Sequence, residues 1–124
     1  MEPLIINKTE DTPQVELDIT KGTFYLTGRS LPENAIDFYK PLFSWVEENM
    51  QSVTGKSIVV EIKLEYFNTA SSKQIAKLFL QLENFIEKNT ILIKWYYEKE
   101  DNDMLVSGNQ YAKFLNLKFE FIET

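Results

Sequence analysis

Residues 57–67, Ser-Ile-Val-Val-Glu-Ile-Lys-Leu-Glu-Tyr-Phe, put Ile58, Val60, Ile62, Leu64 and Tyr66 on one side and Val59, Glu61, Lys63, Glu65 and Phe67 on the other. A period of two is that of a strand, and this is the longest such run in the chain. Val15 to Ile19 alternates in the same way, and Thr20-Lys21-Gly22 turns the chain into a second strand, Thr23 to Gly28, predicting a hairpin. Further on, Ile91, Ile93, Trp95 and Tyr97 define a strand over 91–97, and Leu117 to Ile122 defines the last one.

Between these runs the spacing changes to three and four, which is helical. Ser30-Leu31-Pro32-Glu33 fits a capping box with Ser30 as the cap, opening a helix that turns Ile36, Tyr39, Phe43, Val46 and Met50 inward. Pro41 predicts a kink or a break in it. Ser71 to Lys88 reads as a second helix, with Ile75, Leu78, Phe79, Leu82, Phe85 and Ile86 inward. A third follows the charged turn 99–103 and carries Met104, Tyr111, Phe114 and Leu115.

The order β-β-α-β-α-β-α-β implies parallel strands joined by right-handed crossovers, in a mixed sheet of about five strands. A parallel sheet covered on both faces has continuously apolar strands. Here Glu16, Asp18, Glu61, Lys63, Glu65 and Lys94 occupy the second face. The expected fold is therefore a two-layer α/β domain with helices mainly on one face. Some of Tyr25, Phe67 and Tyr96 are expected on the open face, where aromatic side chains mark partner surfaces. With no linker, repeat or low-complexity tract, residues 1–124 read as a single domain, with 1–12 loosely ordered.

Composition narrows the chemistry. The chain has no Cys and no His, which excludes disulfides, thiolate zinc sites, thiol nucleophiles and a histidine general base. No cofactor is implied. The 13 basic and 19 acidic residues give a net charge of −6, which speaks against binding to a nucleic-acid backbone. The sequence has no secretion signal and no apolar run long enough to span a membrane, so a cytoplasmic protein is expected. Gly55-Lys56-Ser57 ends like a phosphate-binding loop, but Met50 stands where that loop needs glycine, and the strand and helix come in the wrong order. Glu98, Glu100, Asp101 and Asp103 form a dense carboxylate cluster. A solvated turn with acids at a helix N-terminus explains it; the alternative is a small metal-binding or enzymatic domain using these carboxylates.

The turn between the long strand and the second helix is Asn68-Thr69-Ala70-Ser71-Ser72, followed by Lys73. Ser71-Ser72-Lys73-Gln74 is itself a capping box, so Ser71 is expected to cap the helix. Thr69 then lies just before the cap, at the carboxyl end of a central strand, where ligands gather in open α/β sheets. Its hydroxyl is expected to be exposed beside helix N–H groups that favour an anion, a position suited to carry a phosphate.

Four segments in this order, TPQVELD, GRSLPENAIDFYKPLFSWVEE, LEYFNTASSKQIAKLFLQLE and IKWYYEKEDNDM, resemble the bacterial SiaC family of regulatory phosphoproteins. The resemblance implies a fold similar to STAS domains and anti-sigma-factor antagonists, and no enzymatic activity. It implies reversible phosphorylation of a threonine in the segment matching Asn68 to Ser71, and Thr69 is the position that matches. The implied partners are a cognate protein kinase, a serine/threonine phosphatase and an effector bound by the unphosphorylated form. That effector is a diguanylate cyclase, which the protein would activate, raising cyclic di-GMP and promoting biofilm or aggregation. Where family members often carry Ser, this chain has Ala70, with Ser71 and Ser72 after it. Asn68, Ala70, Ser71, Ser72 and Lys73 are the expected partner surface around the phosphosite.

Overall fold

The computed structural model describes residues 2–124. Its elements in chain order are β1 (Leu4–Ile6), β2 (Gln14–Asp18), β3 (Thr23–Ser30), α1 (Ala35–Met50), β4 (Ser57–Phe67), α2 (Thr69–Glu83), β5 (Thr90–Tyr97), α3 (Asn102–Phe114) and β6 (Lys118–Glu123). They form one mixed six-stranded sheet in the order β1-β2-β3-β4-β5-β6. The pairs β1·β2 and β2·β3 are antiparallel, and β3·β4, β4·β5 and β5·β6 are parallel. Each crossover advances one strand in the same direction, and crossovers of one hand then keep the helices on one side. The core lies there: Leu17, Phe24, Ile62 and Trp95 from the sheet meet Tyr39, Leu42, Ile75 and Phe79 from the helices.

The second face is open. Lys63 and Glu65 are exposed and Glu61 is half-buried, while Val60, Ile62 and Leu64 are buried. Tyr96 lies on this face: its hydroxyl donates to Glu61 Oε1 at 2.7 Å, and Lys63 Nζ sits 5.6 Å from its ring centroid. Hydrogen bonding to that carboxylate, aided by burial, pushes the Tyr96 phenol up to about 12.

Several expectations are corrected. The strands number six, because Leu4–Ile6, within the stretch expected to be loose, pairs with β2. The strict alternation read across 57–67 breaks near its end. Gly28 pairs with Leu64 but Arg29 pairs with Tyr66, so Glu65 is an extra residue in β4. A bulge of this kind reverses the faces beyond it. Tyr66 is consequently 48% exposed, and Phe67 packs on the core with its ring edge-on to Trp95 at 6.0 Å.

In α1 the buried positions are Ala35, Tyr39, Leu42, Trp45, Val46 and Met50. The expected Tyr39, Val46 and Met50 do face inward and Phe43 is half-buried against the core, while Ile36 does not face inward. Ile36 is 64% exposed. Burial of Leu42 and Trp45 turns the inward stripe slightly, away from Ile36. The helix runs through Pro41 as a single element, and its cap is Asn34, whose side chain accepts from Asp37 N at 3.1 Å. Helix α2 stops at Glu83, five residues short of Lys88, and hydrogen-bonded turns carry Phe85 and Ile86 against the core. In α3 the buried positions are Met104 and Gly108, and Phe114 is 86% exposed. Gly108 lets α3 sit directly on Trp95, whose indole Nε1 donates to Met104 O at 3.0 Å.

Candidate functional site

The bulge in β4 delivers Asn68 to the start of α2. Asn68 has an extended backbone, and its side-chain oxygen accepts from Ser71 N at 2.8 Å. Asn68 is therefore the cap, and Ser71 is not. Thr69 is the first residue of α2 rather than a residue before it. An amide cap is as effective as a hydroxyl one, so two valid capping patterns overlapped in this turn. Thr69 and Ala70 are both exposed.

Ser71 takes a different role. It is 0% exposed, and its hydroxyl donates to Ser30 O at 3.0 Å while accepting from Ser30 Oγ at 2.8 Å. Ser30 Oγ also lies 2.7 Å from Tyr39 Oη. Ser30, expected to cap α1, is instead the last residue of β3 and is fully buried. Asn68 N donates to Ser30 O at 3.0 Å, tying the same strand end to the α2 cap. Three buried hydroxyls thus join β3, α1 and the first turn of α2. Burial pushes the Tyr39 phenol up to about 12, against the lowering effect of its bond to Ser30.

Ser72 is half-buried, and its carbonyl accepts from Tyr111 Oη at 2.8 Å, which fastens α3 to the first turn of α2. Burial likewise pushes Tyr111 up to about 12. Lys73 is exposed one turn into α2 from Thr69. The structure therefore brings Asn68, Thr69, Ala70 and Lys73 to one surface and withdraws the Ser71 hydroxyl from it. Ser30 and Tyr39 were missed as members of this neighbourhood. Nothing local in the sequence marks a serine at a strand end as the partner of a hydroxyl 41 residues away.

The acidic cluster is used otherwise. Asp101 caps α3, accepting from Met104 N at 3.0 Å, and Asp103 sits in its first turn. Glu98 and Glu100 are exposed. Among the described residues, no group of three or more His, Cys, Asp and Glu side chains is arranged to hold a metal ion. Among the same residues, no helix is long and apolar enough to cross a membrane.

A one-sided α/β layer with a filled core and an exposed, helix-capped hydroxyl turn at its carboxyl edge has the form of a small regulatory domain. The chain belongs to the SiaC family: residues 6–124 match the family described as SiaC family regulatory phosphoprotein. An uncharacterized protein of Pseudomonas aeruginosa (strain UCBPP-PA14) is 22% identical over 120 residues, covering 96% of this chain and 94% of that one. The structure of SiaC of Pseudomonas aeruginosa superposes with a TM-score of 0.88 at 21% identity, covering all of both chains. The crystal structure of the diguanylate cyclase SiaD in complex with its activator SiaC, also from Pseudomonas aeruginosa, gives a TM-score of 0.89 at 21% identity, covering 98% of this chain and 99% of that one. At such identity these are likenesses of fold.

Proposed function

We infer that this protein is a cytoplasmic, non-enzymatic switch set by reversible phosphorylation of Thr69. Its unphosphorylated form binds and activates an effector, a diguanylate cyclase. A protein kinase writes the phosphate and a serine/threonine phosphatase removes it. The observation that carries this is the contrast within one turn: Thr69 is exposed at the first position of α2, whereas the Ser71 hydroxyl is buried with both its hydrogen bonds made. A kinase needs a free hydroxyl, and Thr69 offers one without local unfolding. Family membership and the fold shared with a cyclase-bound SiaC support the same direction.

The energetics favour a switch that spares the fold. Phosphate adds about −1.5 to −2 charges. At the N-terminus of α2 that charge is stabilised by roughly 0.3–1 kcal/mol at an exposed site. The cost falls on a complex that must desolvate the dianion.

The test is phosphopeptide mapping after incubation with a kinase and ATP, followed by binding to a diguanylate cyclase. Phosphate on Thr69 and loss of binding are expected. Phosphate on Ser72 with Thr69 unmodified, or unchanged cyclase binding, would contradict the assignment.

A further inference from the structure

The outer edge of β6 carries backbone groups that the fold leaves unused. Among the described residues, β6 closes the sheet on one side and β1 on the other. An uncovered edge is a template for a further strand. β1 offers three residues directly behind Pro3, a poor template. β6 offers six, Lys118 to Glu123, without Pro or Gly and in unbroken register with Leu92 to Tyr97 of β5. Thr124 N donates to Tyr97 O at 2.9 Å, so the even-numbered residues of this stretch turn their backbone groups toward β5. The N–H and C=O groups of Phe119 and Phe121 point the other way, off the edge of the sheet.

The side chains select the strand that fits. On the open face, residues in register run from Glu61 on β4 to Lys94 on β5 and Glu120 on β6. The sign alternates from strand to strand, and the row ends on an exposed acid with no strand beyond it. The next place in the row calls for a cation. Lys118, also exposed, lies two residues before Glu120 on the same face. An antiparallel copy of β6 centred on Phe119 sets Lys118 of each chain opposite Glu120 of the other, and completes both rows at once.

We propose that this edge is a self-association surface, and that its occupant is β6 of a second copy of this chain, antiparallel and in the register centred on Phe119. In that register Phe119 exchanges both of its outward backbone bonds with its own copy, and Phe121 falls opposite Leu117. Lys118 and Glu120 then form a non-hydrogen-bonded pair, in which side chains approach more closely. Opposite charges placed in this way stabilise the pairing, and like charges destabilise it. The register centred on Glu120 sets that acid against its own copy. The register centred on Phe121 sets Glu120 against Ile122 and leaves its charge unmatched. Edge charges ordinarily discourage added strands; here one strand, the chain's own, matches them. A two-fold axis normal to the sheet relates the copies, so the contact closes at two chains, with both helical layers on one side of a continuous sheet. A single strand pair buries little surface, so the dimer is weak and forms with rising concentration. This inference stands independently of the switch at Thr69.

Sedimentation velocity of the full chain, from micromolar to millimolar concentration, reads the association. A monomer–dimer equilibrium is expected, weakened by added salt. Lys118→Glu and Glu120→Lys should each weaken it roughly tenfold. The double exchange of Lys118→Glu with Glu120→Lys should recover most of that loss, because it reverses each pair without removing it. Both positions are exposed, and circular dichroism should show every variant folded. Amide hydrogen exchange gives a second reading. The Phe119 and Phe121 amides should slow as concentration rises, while those of Glu120 and Ile122, already turned toward β5, should not change. A chain that stays monomeric throughout overturns the proposal. So does a dimer indifferent to the single substitutions, a dimer that the double exchange does not restore, or new protection that appears away from Phe119 and Phe121.

Discussion

Thr69 and Ser71 are two positions apart on the first turn of α2 and meet opposite surroundings. The Ser71 hydroxyl is enclosed by Ser30 and the end of β3, while Thr69 faces solvent. Ser71→Ala should destabilise the fold by about 1–3 kcal/mol, because it leaves Ser30 O without one buried donor and Ser30 Oγ without its acceptor. Asn68→Ala removes a cap and should cost on the order of 1 kcal/mol. Thr69→Ala should stay within about 0.5 kcal/mol of the parent, as exposed sites do. Urea titrations of the three variants check this ranking, and a large loss from Thr69→Ala would make its hydroxyl structural. Tyr39 adds a pH dependence. Its phenol is raised from 10.0 to about 12, so its neutral form is favoured in the folded state. That contribution is fully present below pH 10, the unfolded value, and is lost as the pH rises from there through about 12. Tyr39→Phe should flatten the fall in stability over that window, measured by denaturation at stepped pH.

At the level of elements, α3 is seated by an absence. A Cβ at Gly108 would come within 2.6 Å of the Trp95 ring and 2.8 Å of Phe121. Gly108→Ala should therefore destabilise by about 1–3 kcal/mol through overpacking, against a gain in helix propensity of roughly 1 kcal/mol. Thermal melts should show a net loss, and a rise in melting temperature would mean that the helix simply shifts outward. The same elements mark where the sequence was readable. Alternation in 57–64 located the central strand and both of its faces, because each inward residue is fully apolar and each polar one points out. The faces of Tyr66 and Phe67 were not readable, since the bulge at Glu65 arises from pairing with Arg29 on another strand. Ser30 and Ser71 satisfied capping patterns that Asn34 and Asn68 satisfied as well. Tertiary burial chose between them, and only the fold brings that burial about. The exposure of Thr69 was legible because its surroundings are local: a strand end, a turn and a helix start.

For the molecule as a whole, the sheet separates two tasks. One face carries the helices and the core, and the other is a solvated surface of Glu61, Lys63, Glu65 and Tyr96. The carboxyl edge of the parallel strands leads into the turn that carries Thr69. A charge placed there lies outside the core, so a phosphate can change what the molecule binds without changing its fold. The most direct test is the affinity for a diguanylate cyclase of four forms of the protein: unmodified, phosphorylated on Thr69, Thr69→Ala and Thr69→Asp, with circular dichroism recorded on each. The expected result is matching spectra, with tight binding by the unmodified and Thr69→Ala forms. Thr69→Asp, with one charge and fewer acceptor oxygens than phosphate, should bind at an intermediate level, and the phosphorylated form should lose most of its affinity. Equal affinity of the phosphorylated and unmodified forms, with spectra unchanged, would contradict a switch at Thr69.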